Sequence, residues 1–263
     1  MFRMIRKSFV EGADSVASIH ALCMVGLAWT LSAALCAPAV AQSYEAYSGK
    51  CYEAGNPDQT IVACSVVITR GLADKQDLNA AFKNRGNAYD DKGQYDLAIA
   101  DYDKAIAINP NDADAFNDRG ATHSAMRKYD LAIEDYDQAL RLKPDSAIAL
   151  NNRCFAKALA GRPEQGVADC NESLRLRPAN ASALASRGFA YLKLHRYQAA
   201  IADYDAALKI SPGNPYWLFG RGMAKLMKGD LRDGDGDIVV AEAIMPAIVD
   251  EMAKLGVQRQ SLQ

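Results

Sequence analysis

The sequence predicts an all-α fold, a solenoid of stacked antiparallel helix pairs, on three observations. A step headed by arginine recurs every 34 residues, at Arg85-Gly86, Arg119-Gly120, Arg153-Cys154, Arg187-Gly188 and Arg221-Gly222. Prolines keep the same period (Pro110, Pro144, Pro178, Pro212, Pro246), as do aspartates (Asp101, Asp135, Asp169, Asp203, Asp237). Within one unit Phe82, Gly86 and Tyr89 fall at i, i+4 and i+7. Gly93 interrupts the pattern, and Ala98, Tyr102 and Ala105 resume it before Asn109-Pro110. The unit therefore reads as helix, turn, second helix and proline stop, and each hairpin needs its neighbours to bury its apolar face.

Composition limits the alternatives. Half of the 263 residues are apolar, and Lys+Arg 30 against Asp+Glu 32 leaves a formal charge of -2. Such a chain is neither disordered nor a strongly basic nucleic-acid binder. One Arg and one Asp at fixed places in every unit account for part of that balance.

Residues 1–41 begin with Arg3, Arg6 and Lys7, continue through the uncharged run from Ala21 to Leu31, and close on Ala39-Val40-Ala41. Small residues at -3 and -1 after a hydrophobic run predict a secretory signal peptide cut after Ala41. An uncleaved anchor is the alternative, since no charge falls between Ala21 and Ala41. Cleavage leaves 27 basic and 30 acidic side chains, a charge of -3. Residues 42–78 read as a degenerate N-terminal repeat or cap, with Pro57 to Ile61 aligning on Tyr95 to Ile99. Five strict units follow over 79–248: 79–112, 113–146, 147–180, 181–214 and 215–248. Residues 249–263 are a C-terminal capping helix and tail, and Ile248, Met252 and Leu255 stand at helical spacing where a solenoid needs an end cover.

The series Phe82, Gly86, Tyr89, Ala98, Tyr102, Ala105, Pro110 resembles the tetratricopeptide repeat. The second unit repeats it as Phe116, Gly120, Ala132, Tyr136, Ala139, Pro144, and the fourth as Leu184, Gly188, Tyr191, Ala200, Tyr204, Ala207, Pro212. The third departs at Cys154, Gly166, Cys170 and Ser173, the fifth at Gly234 and Ile238. The resemblance implies a right-handed α-solenoid that works as a protein-interaction scaffold or adaptor, with no catalysis and no cofactor. Nothing further points to nucleic acid or to a membrane surface, and a homo-oligomer stays open.

Arg and Asp of one unit are 16 residues apart. They pair across one hairpin, or the Asp meets the Arg of the next unit; either way an ion-pair ladder is expected. Four cysteines remain after signal removal, an even number in an exported chain, which suggests disulfides and a periplasmic or secreted location. Cys154 stands where other units have Gly and Cys170 where they have Tyr, so these two are expected to pair, and Cys51 with Cys64. His123 and His195 occupy different repeat positions and assemble no triad. The run Asp233, Asp235, Asp237 admits a calcium-dependent or enzymatic alternative, although it lacks EF-hand spacing.

In proteins similar to this one, the first helices line a concave groove that takes an extended peptide or partner segment. The positions corresponding to that groove are Lys83, Asn84 and Asn87, then Asn117, then Asn151, Asn152 and Phe155, then Phe189, then Tyr216 and Met223. Amides dominate one end, aromatics and Met the other. Some relatives grip a terminal carboxylate with Lys and Asn. Lys83 and Asn87 match that clamp, but Asp118 stands where an Asn is expected and would repel a carboxylate. The apolar positions Phe155, Phe189 and Met223 could alternatively pack on one another and on the cap.

Overall fold

A computed structural model describes residues 47–53, 55–70 and 74–258. The proposed signal peptide, 1–41, lies outside them. The chain divides into two compact units, Met1–Ala73 and Asp74–Gln263.

In the first unit a short helical stretch over 47–52 precedes α1 (Pro57–Arg70). Cys51 and Cys64 join the two at disulfide distance, with Cα atoms 4.8 Å apart. Both cysteines are buried.

The second unit is a run of helix pairs: α2 (Lys75–Asp91) and α3 (Tyr95–Ile108), α4 (Ala113–Ala125) and α5 (Tyr129–Leu142), α6 (Ala147–Leu159) and α7 (Pro163–Leu176). α8 (Ala181–Lys193) and α9 (Tyr197–Ile210), then α10 (Pro215–Lys228) and α11 (Leu231–Ile244), complete it, and α12 (Ile248–Lys254) closes the chain. Each hairpin packs on the next, and first helices touch the first helices of neighbouring hairpins. The architecture is an α-solenoid, all-helical among the described residues.

Local chemistry explains the boundaries. The first helices of later hairpins are N-capped by Asp112, Ser146, Asn180 and Asn214, whose side chains accept backbone N–H groups of the first turn. Asp74 does the same for α2 by accepting from Asp77 N–H at 2.8 Å, so that helix starts at Lys75 rather than at 79. The turns between paired helices place one residue in the left-handed region, Gly93, Arg127, Gly161, His195 and Gly229 in succession.

The small positions exist because helices meet there. A Cβ on Gly86 would lie 2.8 Å from the ring of Tyr102, and one on Gly120 2.9 Å from that of Tyr136. The fifth hairpin departs from this arrangement and packs Gly222 against Gly234 backbone to backbone, with Ile238 beside them. In the third hairpin Cys154 and Cys170 are at disulfide distance, Cα to Cα 5.5 Å, and both are fully buried. Gly166 makes room there, since its Cβ would strike the Cys154 carbonyl at 2.7 Å.

The Arg–Asp ladder takes the first of the two sequence alternatives, each Asp of the series meeting the Arg of its own hairpin. Each Arg binds the Asp of its own hairpin bidentately, as Arg85 Nε to Asp101 Oδ2 and Nη2 to Oδ1, both 2.7 Å. From Arg119 onwards the remaining guanidinium nitrogen reaches back to the preceding hairpin, to Asp103 (2.6 Å), Asp137 (2.7 Å), Asn171 (2.8 Å) and Asp205 (2.7 Å) in turn. This second series, acidic except at Asn171, also has a 34-residue period, two positions after the first, and was there to be read.

Candidate functional site

The first helices place the predicted groove residues in register, one turn of the solenoid at a time. At the N-terminal end the side chains are polar and mutually bonded. Lys83 Nζ pairs with Asp112 at 3.1 Å, linking α2 to the cap of α4. Asn87 Oδ1 accepts from Tyr102 Oη at 2.7 Å, so this amide also closes its own hairpin. Asn84 is half-buried beside them. Thr122 Oγ1 donates to Asp90 at 2.6 Å, tying α4 to α2.

Three amides continue the surface. Asn117 Oδ1 accepts from Asn152 Nδ2 at 3.1 Å across hairpins, and Asn151 Nδ2 donates to Asn152 Oδ1 at 3.4 Å. Asn117 in turn donates to Asp118 at 3.2 Å. Burial pushes the Asp118 carboxyl up to about 6, with the Asn117 amide and Lys83 offsetting part of the effect. The carboxyl that replaces the expected clamp amide is thus poorly solvated as an anion.

The apolar end is covered by the chain itself. Phe155 and Phe189 stack with ring centroids 5.1 Å apart. Phe189 and Met223 are buried in one core with Ile248, Met252 and Val257 of the C-terminal segment, against which Phe155 also packs. Tyr216 stays exposed at the rim of a cavity of about 450 Å³ that opens between the first helices and α12. Sequence reasoning assigned the helical spacing of Ile248, Met252 and Leu255 to an end cover and also set Lys193 on the groove face, but missed Arg127, which with Lys193 holds that segment. Arg127 donates to the Lys254 carbonyl at 2.8 Å, and Lys193 Nζ lies 3.2 Å from the Gly256 carbonyl oxygen.

The acidic run sits in the first turns of α11. Asp237 is buried, bonded by Arg221 at 2.6 Å and by Lys225 at 2.8 Å. Asp235 is two positions from each of the others and faces away from them, so although Asp233 and Asp237 at i and i+4 share a face, the three carboxylates do not converge. Among the described residues no group of three His, Cys, Asp or Glu side chains is arranged to hold a metal ion, and no helix is long and apolar enough to cross a membrane. His195 Nδ1 lies 2.8 Å from Tyr197 Oη, and His123 Nε2 lies 3.7 Å from Asp135.

Comparison with known proteins agrees with the periodicity. A family model described as TPR repeat matches residues 86–126, and one described as tetratricopeptide repeat matches 113–146 and 181–214. No curated protein sequence matches the chain. Among solved structures, MamA protein is 21% identical, with a TM-score of 0.53 over 64% of this chain and 92% of its own. YrrB, described as a TPR protein with an unusual peptide-binding site, is 18% identical, with a TM-score of 0.52 over 74% and 96%. PilF of Pseudomonas aeruginosa is 17% identical, with a TM-score of 0.63 over 82% and 99%. At these identities the structures share the fold, and the family models show that the chain carries tetratricopeptide repeats over residues 86–146 and 181–214.

Proposed function

We propose that the protein is an exported scaffold that captures a protein or peptide partner on the first-helix surface of its repeats. The observation that carries this reading is the amide series: Asn152 of one hairpin bonds Asn117 of the preceding one, so groups able both to donate and to accept line up from unit to unit. An extended backbone needs that kind of lining. Lys83, Asn84, Asn87, Asn151 and Tyr216 extend it at either end. Export rests on the hydrophobic run before Ala41 and on two cysteine pairs at disulfide distance, which suit an oxidising compartment.

Replacing both Asn117 and Asn152 by Ala removes donor and acceptor of one bond together, and takes one further partner each from Asp118 and Asn151, so a loss of about 1–2 kcal/mol accompanies it. Affinity capture from envelope extract should lose the partner retained by the unaltered protein, with the helical circular dichroism unchanged. Retention of the same partner by the double variant would place the ligand elsewhere. Mass measurement of the exported chain, with a start at Gln42 and four oxidised cysteines, checks the compartment.

A further inference from the structure

The C-terminal segment sits in the groove as a ligand would. Ile248 and Met252 of α12 and its C-cap residue Leu255 recur at i, i+4 and i+7; the first two are fully buried in the core that holds Phe189, and Leu255 packs against it. Beyond these apolar side chains, the last carbonyls of the segment face cations from two distant hairpins. Arg127 bonds the Lys254 oxygen from the α4–α5 turn, and Lys193 bonds the Gly256 oxygen from the end of α8. A cation at a helix C-terminus is favourable because the unpaired carbonyls concentrate negative charge there.

Arg127 does this from a backbone with φ of 61°, at the turn position that Gly93, Gly161 and Gly229 fill elsewhere. A non-glycine residue in that conformation costs about 1 kcal/mol, and here its side chain makes the clasp. The fit beside it is incomplete. The cavity of about 450 Å³ runs alongside Met252 and Leu255 and is walled by Phe155, Trp217 and Asn151. Asn151 Oδ1 is buried and accepts no hydrogen bond among the described residues.

We propose that this end of the groove is a helix-receiving site, filled in cis by residues 248–258, whose partner in trans is a short amphipathic helix of the same design. That helix carries apolar side chains at i, i+4 and i+7 and ends with its carbonyls between Arg127 and Lys193. A middle side chain larger than Met, with an N–H donor, suits the cavity and the unpaired Asn151 oxygen better than the resident one. The inference rests on the concave-surface reading above and concerns its apolar end, beside the amide lining that takes an extended segment. The tethered segment competes at an effective concentration on the order of millimolar, so a trans ligand binds weakly until that segment is released.

The probe is a synthetic peptide of residues 246–258 with Trp in place of Met252, titrated against the whole protein and against its Met252→Asp variant. The variant should bind the probe at least about tenfold more tightly, because its own segment no longer competes. Adding Arg127→Ala and Lys193→Ala to Met252→Asp should weaken binding by about tenfold, since both clasping cations are lost. Equal binding by the unaltered and Met252→Asp proteins, or indifference to loss of the two cations, overturns the proposal. If Met252→Asp loses its helical circular dichroism, Leu255→Asp at the edge of the core replaces it. Hydrogen exchange supplies an independent reading: amides 250–257 should become unprotected in the variant, and protection persisting in both variants shows a fixed part of the fold, which also overturns it. Asn117→Ala alone, at a side chain outside that cavity, should leave probe binding unchanged while weakening partner capture, so the two readings fail separately.

Discussion

Asp137 of one hairpin accepts a hydrogen bond from Arg153 of the next at 2.7 Å, while the same guanidinium grips Asp169 at 2.6 and 2.8 Å. One side chain therefore joins two helices within a hairpin and the hairpin to its predecessor. Its value for stability is unequally divided, because Asp169 is buried and Asp137 half exposed.

Arg153→Leu should destabilise the protein by about 2–3 kcal/mol, since the buried Asp169 loses its bidentate partner and keeps only Lys157 at 2.8 Å. Asp137→Ala, which removes only the exposed partner, should cost less than about 1 kcal/mol. Urea denaturation of both variants measures the difference; similar losses would show that the inter-hairpin bond carries as much as the bond within the hairpin.

Asp118 makes stability depend on pH in an unusual direction. Its folded-state value of about 6 is above its ordinary value of 3.8. The folded state therefore holds the proton more firmly, and this contribution is full below pH 4 and is lost as pH rises through 6. Asp118→Asn removes the loss, so at pH 7.5 it should stabilise the protein by about 1–3 kcal/mol, with the gain shrinking below pH 6. Thermal melts from pH 4 to 8 follow it, and a gain that stays constant across that range would contradict the assignment.

His195 adopts φ of 57° at a turn position where three of the five hairpins have Gly. His195→Gly should raise stability by up to about 1 kcal/mol through relief of the left-handed backbone, less the small loss of an exposed bond to Tyr197. A fall in the calorimetric melting temperature would mean that the Tyr197 contact outweighs the strain.

The Cys154–Cys170 pair closes a loop with a sequence separation of 16. On the loop-entropy account its removal by Cys154→Ser with Cys170→Ser should cost about 3 kcal/mol. The pair replaces the Gly and Tyr contact of other hairpins, so reductant should lower the melting temperature of the unaltered protein by more than that of the double variant, which keeps only the Cys51–Cys64 pair.

Much of this was legible in the sequence. A fixed 34-residue period located the hairpins, and the Arg and Asp series located a ladder, because each repeat must solve the same packing problem with the same atoms. Cys154 and Cys170 were readable because both break the pattern within one hairpin. The path of the last residues was not. The spacing of Ile248, Met252 and Leu255 shows that a helix has an apolar side, but the surface it covers depends on small rotations accumulated over five hairpins. Phe155, Phe189 and Met223 share their register with groove amides, so position alone could not separate an open lining from a covered one. Arg127 stood in the sequence as an ordinary turn residue, with nothing to mark a partner in the C-terminal capping helix.

A linear array held only by neighbour contacts can begin folding at any hairpin and finish in any order. The bond between Arg127 and Lys254 spans 127 positions and so cannot form until nearly the whole chain has been made. It adds a high-separation step to an otherwise local folding route, and such steps are slow because loop closure precedes any reward. A chain emerging N-terminus first would assemble its hairpins early and seat its final helix last. Until then the apolar end of the groove is exposed, at the stage when a newly made chain most needs a companion.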